Sequence, residues 1–173
     1  GKLRKGKIIT EYSSRLILPG ATATTTFHGY SVNGVQVQGT HTIINRSSAD
    51  TRAFQIKVDG KLLKTNGNFI EWKSDKTVEQ VAGLSTPFAP GDDRFEVTGE
   101  ASGTAKRGEK LLEWNAGISS PLVKNFACRY IVGGVLDIRK GSTVVASLDY
   151  GDGNCDNKAS LTIGGQTRII SLD

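Results

Sequence analysis

Cys128 and Cys155 are the only cysteines in the chain, and His28 and His41 are the only histidines. Neither histidine lies close enough in sequence to complete a zinc set with the thiols, so the pair reads as a disulfide. Hairpin arithmetic supports this. With Lys140-Gly141 as a turn, Arg139 pairs with Ser142, and Cys128 falls opposite Gly153, two residues from Cys155. Both sulfurs then sit at one end of one hairpin, within reach of each other. Such a bond would stabilise the fold by roughly 3 to 4 kcal/mol in the chain-entropy model and implies an oxidising compartment. A reduced pair buried for packing is the alternative.

Around Cys155 the segment 149–157, DYGDGNCDN, carries oxygen groups at alternate positions, as calcium loops do. Asp152, Asn154 and Asp156 are the candidate ligands. The segment lacks the glycine after the third ligand and the distal glutamate of the helix-loop-helix pattern. Asn, Asp and Gly also crowd ordinary turns, so a disulfide-pinned turn is the stronger reading and calcium the rival. With Asn33-Gly34 as a turn, His28 faces Gly39 and His41 faces Thr26, so the histidines share a face. No third ligand accompanies them there. Trp72 and Trp114 sit beside Glu71 and Glu113 in matching contexts. Exposed, they would stack sugar rings; buried, they would anchor two hairpins. The segment 99–103, GEASG, resembles a nucleophile elbow, but its serine is fourth rather than third and no strand-to-helix turn follows. No phosphate loop, dinucleotide fingerprint or HExxH is present. The chain therefore reads as a non-enzyme that requires no cofactor.

The elements that position these residues are strands. Val, Ile and Thr supply 41 of 173 residues, with 21 Gly and four Pro, a composition that favours strand over helix. Asn33-Gly34, Asp59-Gly60, Asn66-Gly67, Arg107-Gly108, Lys140-Gly141 and Gly164-Gly165 read as hairpin turns. The expected fold is all-β, an antiparallel sandwich or meander of about ten to twelve short strands. At most one short helix accompanies them, over Ser74–Gly83. The segments NFIEW (68–72) and KLLEW (110–114) echo one another about 41 residues apart, which suggests two similar hairpins rather than a solenoid. The glycine-rich stretch 91–103 is where the chain would cross between sheets.

The formal charge is +5, and residues 1 to 20 hold five bases against Glu11, while the remaining 153 residues hold 17 bases and 16 acids. Residues 1–20 accordingly read as a basic tether or frayed end, and 21–173 as a single domain. A near-neutral body without a basic stripe argues against nucleic acid. There is no run of 18 apolar residues, so no membrane-spanning segment is expected.

The segments TTTFHGYSVNGVQVQGTHTIIN (24–45), EVTGEASGT (96–104) and, above all, Cys128 followed by LDYGDGNCDNKA (148–159) resemble the uncharacterised secreted lipoproteins of Bacteroidetes cell envelopes. The resemblance implies export, a lipid anchor upstream of this chain and a disulfide between Cys128 and Cys155; it brings no activity. The expectation is an exported protein of the periplasm or outer-membrane surface, held to the membrane only through such an anchor. It would bind glycan or another envelope protein, or serve a structural role. A glycan-active hydrolase and a calcium-dependent adhesion module are the rivals.

Overall fold

The computed structural model describes residues 1–86 and 88–172. They form one antiparallel sheet of eleven strands whose spatial order is the order of the chain. The strands are β1 (Arg4–Tyr12), β2 (Thr22–Val32), β3 (Val35–Asn45), β4 (Arg52–Leu63), β5 (Phe69–Ala82), β6 (Arg94–Arg107), β7 (Lys110–Asn125), β8 (Gly133–Lys140), β9 (Thr143–Asp152), β10 (Lys158–Ile163) and β11 (Gln166–Ser171). One 3-10 turn, Pro90–Asp92, is the only helical element among the described residues. The all-β class holds, and the arrangement is the meander rather than the sandwich.

The chain exposes 11345 Å². A compact monomer of 18.5 kDa would expose roughly 8,200 Å², so this sheet is essentially one layer. Following the pairing register, one face carries Val37, Ile43, Phe54, Ile56, Val58, Leu62, Val78, Val97, Ile118, Leu136, Leu148 and Leu161. The opposite face carries mainly Thr, Lys, Asp, Glu and Ser, with Leu63, Phe69 and Leu111 towards one end. Strand alternation therefore yields an apolar and a charged face along nearly the whole meander.

The two ends differ as much as the faces. At one end, hereafter the turn end, tight connections reverse the chain: Asn33-Gly34 has positive φ at both residues (50° and 81°), as a type I′ turn demands. At the other, the loop end, longer segments fold back. Asn45, 2% exposed, donates its side-chain amide to Leu16 O at 2.8 Å and accepts from Ser47 N at 2.8 Å. It thereby pins the loop 13–21 over Phe54 and Val78. Gln80 donates to Ala82 O and to Asp93 Oδ1. The buried hydrophobic side chains (Ala21, Ala23, Ala53, Leu122, Cys128, Val132 and Ala159) lie towards this end.

Several sequence expectations are corrected. Residues 4–12 are not a tether but edge strand β1, paired with β2 from Arg4 opposite Val32 to Tyr12 opposite Ala23. Ser74–Gly83 is not helical: β5 runs through it, because register with β4 and β6 continues to Gln80. Asp59-Gly60 is not a turn but mid-strand in β4. Its glycine leaves room for the Trp72 ring, which a Cβ there would approach to 3.0 Å. The stretch 91–103 crosses to no second sheet and leads straight into β6. The histidines lie on opposite faces. Between Thr26 and Ser31, β2 has one residue more than β3, so His41 pairs with Thr25, while His28 pairs with Lys7.

Candidate functional site

The charged face holds a trough of about 610 Å³ that runs from β3 to β8. Its floor is built by register alone. Lys57 stands opposite Asp75 and Asp59 opposite Lys73, giving ion pairs of 3.4 and 3.1 Å, and the ladder continues beyond the trough with Lys61 opposite Glu71 at 2.8 Å. These pairs are solvent-exposed, so each contributes only a few tenths of a kcal/mol. What they achieve is local neutrality. Gln55 strengthens one end, donating to both oxygens of Asp75 at 2.8 and 3.0 Å while its own carbonyl accepts from Arg46.

Beyond that ladder the trough changes character. Glu100 lies opposite Asp75, and Ser102 lies opposite Asn115. Among the described residues, the side chains of Glu100, Ser102 and Asn115 have no hydrogen-bond or ion-pair partner, although all three line the trough. They lie on neighbouring positions of one face, within about 7 Å of one another by strand geometry. The far wall is Arg139, whose guanidinium crosses Gly117, where a Cβ would stand 3.3 Å from Nη1. Arg139 also reaches Asp137 Oδ2 at 3.4 Å. Asp137 is 9% exposed. The hydrogen bond from Ser147, the neighbouring Ser119 hydroxyl and the nearby Arg139 charge hold its carboxyl below the usual carboxylate range despite burial.

The tryptophans are on the other face. Trp72 and Trp114 occupy one register row with glycines: Gly60 faces Trp72, Trp72 faces Gly103, and Gly103 faces Trp114. A Cβ on Gly103 would stand 2.9 Å from the Trp114 ring. Each indole thus tiles the bare backbone of a glycine in the preceding strand, half-buried, as aromatic residues do when they shield strand glycines. The Trp114 Nε1–H is enclosed and has no acceptor among the described residues. Neither ring faces the trough.

Cys128 and Cys155 form the disulfide, with Cα atoms 5.8 Å apart. The register behind the sequence argument is shifted, since Lys140 pairs with Thr143 and Arg139 with Val144; the turn residues are Gly141-Ser142. The bond ties the loop before β8 to the loop after β9. Asn154 donates to Asp152 Oδ1 at 2.8 Å, and Asp156 Oδ1 accepts from Lys158 N at 2.9 Å. Asp152, Asn154 and Asp156 share a hollow of about 100 Å³. No three His, Cys, Asp or Glu among the described residues gather as a metal-ligand cluster. The trough residues were missed because their contributing strands are distant in sequence, and only strand register could have grouped them.

No known protein family, curated protein or solved structure matches the chain. The disulfide is compatible with an oxidising, exported location.

Proposed function

We propose that this protein is a non-catalytic binding module of the cell envelope, exported to the periplasm or outer-membrane surface. It would hold a polar partner, a glycan or a segment of another envelope protein, in the trough of the charged face. The observation that carries this reading is the unengaged set Glu100, Ser102 and Asn115 beside a ladder of already neutralised charges. Such a surface offers donors and acceptors without a large net field, which suits hydroxyls and amides better than phosphates. The disulfide between Cys128 and Cys155, compatible with an oxidising compartment, supports the location. A thermal-shift screen of the oxidised protein against cell-surface oligosaccharides and envelope peptides tests it, since a ligand of the folded state raises the melting point. A shift seen in the wild type should vanish in Ser102→Tyr, which fills the trough, and shrink in Asn115→Ala. No shift with any ligand, or a shift that both variants keep, sinks the idea.

A second reading, glycan hydrolysis, draws on Asp75 and Glu100. They are directly opposed cross-strand residues in a trough, with Cβ atoms about 5 Å apart, so both carboxylates are at hand on one surface. Against it stand the bonds that hold Asp75 to Lys57 and Gln55 and the placement of both tryptophans on the far face. Turnover of an oligosaccharide that both Asp75→Asn and Glu100→Gln abolish would favour this reading over the first.

A further inference from the structure

The meander gathers bases that the sequence scatters. The chain's start is tied to the first hairpin tip, with Leu3 N donating to Asn33 Oδ1 and Asn33 N donating to Leu3 O. Gly34 of that tip lies beside Thr65 of the next, where a Cβ would be 3.9 Å from the threonine side chain. Gly108 N in turn donates to Asn68 Oδ1 at 2.9 Å. These contacts make one continuous rim at the turn end from β1 to β7. Lys2, Arg4 and Lys5 stand at its start, and Lys64, Lys106, Arg107 and Lys110 farther along, with Glu109 as the acid among the tips. Aliphatic side chains are exposed at the same end: Leu111 62%, Leu112 60%, Leu3 63% and Ile163 51%.

A cavity of about 500 Å³ opens at this rim. Its walls include the apolar Val35, Leu62, Phe69 and Ile70 and the bases Lys64, Lys106 and Arg107, with no acid in its lining. Apolar walls with a cationic mouth match an amphiphile that has a chain and an anionic head. We infer that the turn-end rim is a docking surface for an anionic lipid bilayer, with one lipid headgroup seated between Lys64, Lys106 and Arg107. The bases supply attraction to the surface, while the exposed aliphatics, spaced along the rim, enter the interface. Nucleic acid would use the charges but not the aliphatics, and the aromatic in the cavity lining, Phe69, already has Lys61 Nζ 4.3 Å over its ring. Docking by this rim stands the strands away from the membrane and leaves the trough free, so the inference is independent of the proposed ligand.

Sedimentation of the full chain with vesicles of phosphatidylcholine alone, or of phosphatidylcholine with phosphatidylglycerol, tests it. Binding is expected to the anionic vesicles only, weakening with salt. Lys64→Gln, Lys106→Gln and Arg107→Gln combined should reduce affinity about a hundredfold, at about fivefold per base. Leu111→Ser with Leu112→Ser should reduce it several-fold with the charge unchanged. The altered side chains are exposed, and an unchanged melting point for each variant confirms that the fold survives. Failure to bind anionic vesicles overturns the inference. So does binding that the serine pair leaves intact while duplex DNA or heparin competes fully, which would mark a plain polyanion surface.

Discussion

The loop end and the turn end of this sheet are made of the same strands and do opposite things. At the loop end, Asn45, Gln80 and the disulfide stitch irregular segments over the apolar face, and the buried side chains lie towards it. At the turn end the connections are too short to fold back, so Leu111, Leu112 and Ile70 stay uncovered. A two-residue turn saves loop entropy but gives up any chance of capping the sheet face beneath it. Stability is concentrated where the loops are long, and contact surface where they are short.

That contrast can be broken at its strongest point first. Replacing Cys128 and Cys155 by Ser removes a link across a sequence separation of 27 and should lower stability by about 3 kcal/mol in the chain-entropy model. Urea unfolding of oxidised wild type against the double variant measures it; a loss under about 1 kcal/mol would mean the loop end does not depend on its staple. Asn45→Ala should destabilise by about 2 kcal/mol, because it strands Leu16 O and Ser47 N at a buried site. Differential scanning calorimetry reads that change, with Asn45→Asp as the partial replacement that keeps the acceptor.

A smaller effect belongs to the trough wall. Because the folded-state pKa of Asp137 is depressed, the carboxylate contributes stability that is complete above about pH 4, the unfolded range for Asp. That contribution disappears as pH falls through the lower folded value. Melting curves of wild type and Asp137→Asn should therefore converge on the acid side and separate towards neutrality; parallel curves throughout would contradict the linkage. Smallest of all, Leu111→Ser with Leu112→Ser should change stability by no more than about 0.5 kcal/mol, as expected for exposed positions. A large loss in that pair would show that the turn end is a hidden part of the core.

The turns were the most legible feature. Asn33-Gly34 and Gly164-Gly165 sit where residue preference alone places them, since few other residues accept their backbone angles. The same rule misled at Asp59-Gly60, where the glycine leaves room for the indole of Trp72 opposite it on the next strand. The disulfide was legible although its supporting register was shifted, because any turn near Lys140 and Gly141 brings the two cysteines to one end. Register itself was not legible past a bulge, as the extra residue in β2 between Thr26 and Ser31 shows for the histidines. The trough depends wholly on register across six strands. Lys57, Asp75, Ser102 and Asn115 are each unremarkable surface residues until pairing sets them side by side.

The odd number of strands has a consequence for symmetry. With eleven strands and every neighbour antiparallel, β1 and β11 run in the same direction. A second copy that kept its apolar face on the same side could therefore extend the sheet antiparallel only by bringing up the same edge, β1 to β1 or β11 to β11, about a two-fold axis normal to the sheet. That rotation points the two basic rims opposite ways. A pair joined edge to edge could set just one rim on a flat surface, and the other would face away, free to meet a second surface.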